Sequence, residues 1–298
     1  RGPKFMSLRI SIIIPCFNMQ EYIEDTLLSI IGQDYDNFEI IVMDGGSTDN
    51  TLEILRKYDK NIKLLVSEAD AGQYDAINKG FRYASGDIYA WLNADDKYFP
   101  WTLSTVARVF SSYPSINWIR GVSSFIDQYG QLLYINDVCG APRKLIQMGW
   151  FQKGILGYLQ QESMFWRASL WDRAGGLNIE YKLAADFDLW IRFAESSDLV
   201  TVGIPLAAFR KRISSRSKVN MKSYEREVES ITSQLKSSKI LSELLTHSII
   251  QHGLRFLIWW RSYIYFYSVV GEKWVCEKRL CSTSGMSISR AILETKLS

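Results

Sequence analysis

Four short apolar runs separated by helix-patterned segments constrain this chain more than any other feature. The runs are Ile10-Ser11-Ile12-Ile13-Ile14, Phe38-Glu39-Ile40-Ile41-Val42-Met43, Ile62-Lys63-Leu64-Leu65-Val66 and Ile88-Tyr89-Ala90-Trp91-Leu92. Between them, Glu21–Ile31, Asn50–Tyr58 and Tyr74–Tyr83 carry apolar residues at helical spacing. A strand, a crossover helix and a further strand make a parallel pair, and right-handed crossovers place helices on both faces of the sheet. The expected fold is therefore α/β, a Rossmann-like sheet whose ligands bind beyond the carboxyl ends of the strands.

The residues just past those ends are polar. Pro15-Cys16-Phe17-Asn18 follow the first run, Asp44-Gly45-Gly46-Ser47-Thr48-Asp49 the second and Asn93-Ala94-Asp95-Asp96 the fourth. Neighbouring carboxylates repel and resist desolvation, so a hard divalent cation with a diphosphate completing its oxygen shell is a natural compensation. A polar turn capping the next helix, ahead of Pro100, is the plainer reading of the last cluster. Asp44-Gly45-Gly46 permits a backbone excursion that larger residues resist, and Asp49 reads as a helix cap. Asp44, ending a buried strand, can accept a hydrogen bond from a base edge or a ribose. The sequence has no GxxxxGK[ST] and no GxGxxG after its first strand, which counts against kinases, ATPases and nicotinamide dehydrogenases.

With 298 residues, 47% hydrophobic and 22% charged, the chain suits one large domain with an appendage, or two domains. Cys16, Cys139, Cys276 and Cys281 form no CxxC pair, and His247 and His252 would lie on different faces of a helix. Structural zinc and a disulfide framework are not expected, and a reducing cytoplasm fits. Arg1-Gly2-Pro3-Lys4-Phe5 ahead of Met6 reads as a cloning remnant, with the natural chain expected to start at Met6 and no signal peptide. Residues 1–200 hold 19 basic against 25 acidic side chains, and residues 201–298 hold 16 against 7. That asymmetry points to an anionic partner for the C-terminal part.

Ser11–Asn18, Ile41–Asp49 and Leu92–Asp96, followed in order by Ala184-Ala185-Asp186-Phe187-Asp188-Leu189-Trp190, resemble the family 2 glycosyltransferases with the GT-A fold, over roughly residues 8–216. The resemblance implies an inverting transferase that uses a nucleotide-sugar donor and Mn²⁺ or Mg²⁺. It assigns Pro15, Phe17 and Asn18 to the donor pocket and Asp44 to the base. Asn93, Ala94 and Asp95 would face the ribose and the metal-bound diphosphate, with Asp95 on the metal and Asp186 as the base for the attacking hydroxyl. On a helix, Asp186 and Asp188 point about 200° apart, so only one can face the site. The helix dipole, which favours acids in a first turn, accounts for either residue alone. Gln160-Gln161-Glu162-Ser163-Met164-Phe165-Trp166 resembles the acceptor-side strand. There Glu162 would bond a sugar hydroxyl and Trp166 would offer a flat face to a sugar ring.

The sequence departs from the commonest pattern of the family in three places. Asn93 stands where an aspartate is frequent, and Ile77 where many members have arginine, leaving Asp75 and Lys79 to serve the nucleotide or to form an exposed helical pair. Arg212 stands where many relatives have a histidine near the metal. An arginine cannot ligate a metal but can pair with a diphosphate. Arg210–Lys218 reads either as a mobile basic loop over that diphosphate or as a solvated charge run.

These readings define a catalytic domain at 6–217, with a nucleotide half at about 6–110 and an acceptor half at about 111–217, and a basic helical region at 218–298. Within the latter, Lys218–Lys239 reads as an amphipathic helix. Leu254–Tyr267 reads as an aromatic helix, too charged to span a bilayer, that contacts an anionic membrane through residues 240–280, the catalytic domain or a second subunit. The expected protein transfers a sugar, from a UDP donor, to a saccharide or lipid-linked saccharide in polysaccharide or glycan biosynthesis. It would work in the cytoplasm, at the inner face of the membrane, with a homo-oligomer left open and no nucleic-acid partner. A catalytically silent nucleotide- or membrane-binding scaffold and a sugar-nucleotide pyrophosphorylase are the rivals.

Overall fold

The first apolar run becomes β1 (Ile10–Cys16), buried along its whole length. The computed structural model describes residues 7–212 and 220–235, together with the backbone of two strands at 260–268 and 273–281. The remaining runs form β2 (Phe38–Asp44), β3 (Leu64–Ser67) and β4 (Ile88–Trp91), and the segments between them form α1 (Ile23–Ile31), α2 (Thr51–Arg56) and α3 (Gln73–Phe81). β1 pairs in parallel with β2, from Ile10↔Phe38 to Cys16↔Asp44, and with β4, from Ile10↔Ile88 to Ile13↔Trp91.

The chain continues through β5 (Lys97–Tyr98), α4 (Thr102–Ser112), β6 (Trp118–Arg120), β7 (Ser124–Ile126), β8 (Leu132–Ile135), α5 (Arg143–Gln147), β9 (Met164–Arg167), α6 (Ala168–Ala174), α7 (Ala185–Ser196), β10 (Leu199–Val202), β11 (Ala207–Arg210), α8 (Met221–Ser233), β12 (Trp260–Ser268) and β13 (Lys273–Cys281). Among the described residues, the main sheet runs β13-β12-β10-β6-β9-β4-β1-β2-β3, and a second, four-stranded sheet runs β5-β11-β7-β8. β9 is antiparallel to both β4 and β6.

The alternation of a strand buried on both faces divides the core. Ile10, Ile12 and Ile14 pack with Leu27 and Leu103 on one side of the sheet, while Ile13 and Ile41 pack with Ile77 and Trp190 on the other. Helix α3 lies so close to the sheet that a Cβ at Gly80 would stand 2.6 Å from Ile13 Cγ2. The second side is built from indoles. Trp190 stacks against Trp91 and Trp118, and Trp166 meets Trp91 edge-on at 5.5 Å. Trp166 is fully buried there, so the expected sugar-facing role is corrected: its ring belongs to the core.

The C-terminal region departs further from expectation. The amphipathic helix is present as α8, but from Trp260 onward the expected aromatic helix is a strand. β12 runs parallel to β10, with Thr201↔Ile264, and antiparallel to β13. An all-round apolar pattern cannot by itself separate a helix from a doubly covered strand, and Tyr263-Ile264-Tyr265-Phe266-Tyr267 is the aromatic and β-branched composition that strands favour. The premise of an interfacial helix therefore fails from residue 260 on. Residues 240–259 and 269–272 lie outside the described residues, and among the described residues no helix is long and apolar enough to cross a membrane.

At the edge of the sheet away from the polar strand ends, the Glu39 carboxylate accepts hydrogen bonds from Ser11 Oγ, Lys63 Nζ and both the N–H and Oγ of Ser85. Burial alone would raise its pKa, but these donors outweigh it and push the group down to about 2. A carboxyl depressed in the fold stabilises it above the unfolded value and loses that contribution as pH falls. Urea unfolding should show stability falling from about pH 4.5 towards pH 2. Glu39→Gln should be less stable than the parent at pH 7 and flatter across that window.

Candidate active site

The loops after β1 and β2 are tied to each other. Gly45 N–H donates to the Cys16 carbonyl, Asn18 N–H to Ser47 Oγ, and Thr48 N–H to Asn18 Oδ1 at 2.8 Å. Asn18 sits at φ 52°, in the left-handed region that asparagine tolerates better than most residues. Phe17 is exposed beside Gly45, where its ring can cover a flat ligand, whereas Pro15 is buried within β1 in register with Met43. Asp49 takes N–H bonds from Gln20 and Thr51, which anchors the start of α2.

Asp44 departs from expectation. It is 2% exposed, and its oxygens accept from the Gly46 and Ser47 N–H groups, Ser47 Oγ, Ser67 Oγ and the Cys16 thiol. A carboxylate offers about four lone-pair sites. With those occupied, Asp44 shapes the loop and presents no free acceptor to a base.

At the end of β4 the four polar residues divide by environment. Asn93 accepts from Gln73 Nε2 at 2.6 Å and donates to Asp96 Oδ2 at 3.2 Å. Ala94 is buried, and its carbonyl accepts from Thr26 Oγ1, so it serves the core and not a donor. Asp96 is buried too, and desolvation, with Asp95 and Glu162 nearby, holds its carboxyl well above the usual range. Asp95 stays partly accessible. Its Oδ2 lies 2.7 Å from both Nε and a terminal nitrogen of Arg212, whose guanidinium also sits over the Tyr22 ring.

Arg210, expected either in a basic loop over the diphosphate or in a solvated charge run, is instead 1% exposed. Its guanidinium donates to the Asp95 and Gln128 carbonyls and to Asp25 Oδ2, and its N–H donates to Asp96 Oδ1. A guanidinium cannot shed its charge, so burial demands these partners and removes the residue from donor binding. Lys211 lies over the Phe125 and Tyr134 rings, and residues 213–218 lie outside the described residues. Asp75 accepts the Ala71 N–H and pairs with Lys79 four residues on, the helical-pair alternative, while facing a shallow cleft with Gly72, Tyr74 and Tyr181.

Asp186 opens helix α7. Asp188 turns away to Arg192, 2.6 Å distant, leaving Asp186 towards the site. Asp186 is half-buried, and desolvation raises its carboxyl to about 6 against partly opposing hydrogen bonds from local N–H groups and Tyr74. The Tyr74 hydroxyl donates to the Leu183 carbonyl at 2.7 Å and stands 3.5 Å from Asp186 Oδ1. Consecutive residues of α3, Gln73 and Tyr74, thus reach Asn93 and Asp186 respectively and fix the distance between them. Neither was singled out in the sequence, although both follow Gly72 at the start of a helix beside the polar strand ends. Next to Asp186, Phe151, Leu159, Trp190 and Tyr224 line a small apolar hollow.

Glu162 is 2% exposed and its Oε1 has no hydrogen-bond partner. Burial raises it to about 8, and Asp186 and Asp95 add to the rise. At neutral pH it is a protonated acid able to donate to a sugar hydroxyl. A carboxyl raised in the fold favours folding below its unfolded value and loses that advantage as pH climbs. Glu162→Gln, which mimics the protonated form, should therefore gain stability relative to the parent between about pH 4.5 and 8, as read by urea midpoints.

Comparison with known proteins meets this geometry. The family description Glycosyl transferase family 2 matches residues 11–173. A PGL/p-HBAD biosynthesis glycosyltransferase of Mycobacterium bovis is 32% identical over 199 residues, covering 64% of this chain and 72% of the relative. Staphylococcus aureus TarS 1-349 in complex with UDP-GlcNAc superposes with a TM-score of 0.61 at 17% identity, covering 84% of this chain and 76% of that one. The mannosyltransferase PcManGT of Pyrobaculum calidifontis, in complex with GDP-Man and Mn²⁺, gives a TM-score of 0.60 at 16% identity over 98% of this chain and 80% of that one. Both solved structures share the fold.

Proposed function

The chain belongs to glycosyl transferase family 2, and on that premise we propose that it is an inverting transferase that passes a sugar from a UDP donor to a saccharide or lipid-linked saccharide in glycan assembly. The observation that carries this reading is the bridge through α3: Gln73 holds Asn93 on the donor side, and Tyr74 stands beside Asp186 on the acceptor side. Adjacent residues of one helix thereby link the proposed donor side to the proposed base, which supports a displacement between them.

In the proposed reaction the acceptor hydroxyl oxygen attacks the anomeric carbon while Asp186 takes its proton. The bond from that carbon to the diphosphate oxygen breaks, and the electron pair leaves with the diphosphate. Positioned proton transfer contributes typically ~10²–10⁴-fold. Arg212 provides a fixed positive charge at Asp95, where the leaving charge would develop. A hard cation fits the same carboxylate: Asp95 Oδ1 takes no bond from the described residues, and diphosphate oxygens and water suit the rest of a Mg²⁺ or Mn²⁺ shell. Such an ion, when bound, would act as a Lewis acid on the leaving group. Protonated Glu162 suits a sugar hydroxyl.

Release of nucleoside diphosphate from a panel of UDP- and GDP-sugars tests the reading, with Mn²⁺, Mg²⁺ or chelator and both simple and lipid-linked sugar acceptors. Turnover of a UDP-sugar is expected, and turnover confined to GDP-sugars would correct the base. Asp186→Asn should lower turnover by at least ~10²-fold while leaving donor affinity within a few fold. Because Asp186 must be ionised to accept a proton, parent activity should fall below about pH 6. Full turnover in that variant would remove the assigned base. The 16 basic against 7 acidic side chains after residue 200 support an anionic lipid surface as the place where the acceptor is met. Cosedimentation with anionic but not zwitterionic vesicles is expected, and equal binding to both or to neither would reject it.

A further inference from the structure

Helix α8 lies beyond the stretch matched by the family description, yet it touches the segment that carries the catalytic carboxylate. Val228 and Ile231 pack against Ala184, Phe187 and Ile191 of the α7 region. At the centre of this contact, Glu227 turns its carboxylate onto the backbone just before α7. Oε1 accepts the Lys182 N–H at 3.0 Å, and Oε2 accepts the Leu183 and Ala184 N–H groups at 2.9 Å each. The Tyr74 hydroxyl holds the same turn from the other side through the Leu183 carbonyl.

We propose that Glu227 is a positioning residue, a carboxylate on a separate helix that clamps the 182–184 turn and so fixes where Asp186 projects into the site. The proposal rests on the reading of Asp186 as the base. A side chain two residues past a clamped turn inherits its placement, and a misplacement of ~1 Å in a reacting group can cost ~10²-fold in rate. The clamp is also electrostatic. Glu227 lies near enough to add to the rise of the Asp186 carboxyl. The other titratable groups around Asp186 are Tyr74 from α3, Glu162 from the segment before β9, and Tyr224 from α8 itself.

The test compares Glu227→Gln, Glu227→Ala and Asp186→Asn in the full chain. Hydrogen exchange over residues 178–190 should show faster exchange at 182–184 in both Glu227 variants, with the sheet core unchanged. In protein labelled with ¹³C at aspartate carboxyls, the resonance missing from Asp186→Asn identifies Asp186. Its titration midpoint should move to lower pH in Glu227→Gln, because a nearby negative charge has gone. With the donor found in the panel, kcat should drop ~10²-fold in Glu227→Ala while the donor KM stays within a few fold. Unchanged exchange at 182–184 together with an unmoved Asp186 midpoint would overturn the clamp, and so would kcat and KM unchanged in Glu227→Ala. Should Glu227→Ala fail to fold, the exchange and midpoint in the milder Glu227→Gln decide alone. Full turnover in Asp186→Asn would instead remove the base assignment and leave the exchange and titration results standing as a structural clamp.

Discussion

A buried arginine holds the working end of this molecule together. Arg210, 1% exposed at the end of β11, reaches Asp25 on α1, the Asp95 carbonyl after β4 and the Gln128 carbonyl in the β7–β8 turn. An unpaired guanidinium in that position would be prohibitive, so these segments must converge for the chain to fold. The four-stranded sheet is thereby bound to the polar end of the main sheet, and the backbone of Asp95 is fixed before any ligand arrives. The neighbour two residues on, Arg212, is then placed with its guanidinium on the Asp95 side chain. One arginine is structural and the other remains partly accessible: Arg210 ends β11 under the β7–β8 turn, whereas Arg212 lies past the end of the strand.

That fixed frame allows acids to be crowded together and yet behave differently. Asp96 is desolvated and its carboxyl is held well above the usual range, Glu162 is held up to about 8, Asp186 rises to about 6, and Asp95 is paired with Arg212. Four ionised carboxylates crowded together would repel one another. Three raised carboxyls and one paired with a guanidinium are compatible with a folded site. The same division fits the proposed tasks: a hydrogen-bond donor in Glu162, a counter-charged anchor in Asp95 and a proton acceptor in Asp186.

The first hundred residues were legible because their signals are local. Each strand run and each crossover helix can be recognised from its own period, and parallel pairing follows from connection length. Helical geometry alone showed that only one of Asp186 and Asp188 could face the site, and the family resemblance pointed to Asp186. What escaped depends on contacts between distant segments. Nothing near Arg210 in the sequence reveals that Asp25, 185 residues earlier, will bury it. Asp44 ends a strand as expected, but its saturation depends on Ser67 from β3. Trp166 gave no indication of which face its strand would bury, since a strand covered on both sides carries no alternation. β12 was misread because its apolar run carries no alternation in sequence, with composition and not period as the better guide.

The division between local and distant signals also separates the two halves of the chemistry. The stretch matched by the family description ends at residue 173, whereas Asp186, Arg212 and Glu227 all follow it. The matched stretch contains the polar strand ends after β1, β2 and β4, where the proposed donor would bind. The later segments decide the surroundings of Asp186: α7 carries it, Glu227 of α8 holds the turn before it, and Tyr224 of α8 lines the hollow at its side. A single helix therefore adjoins both the turn before Asp186 and the hollow next to it. A substitution on the inner face of α8 would reach both, because the side chain that lines the hollow and the carboxylate that holds the turn stand on the same helix.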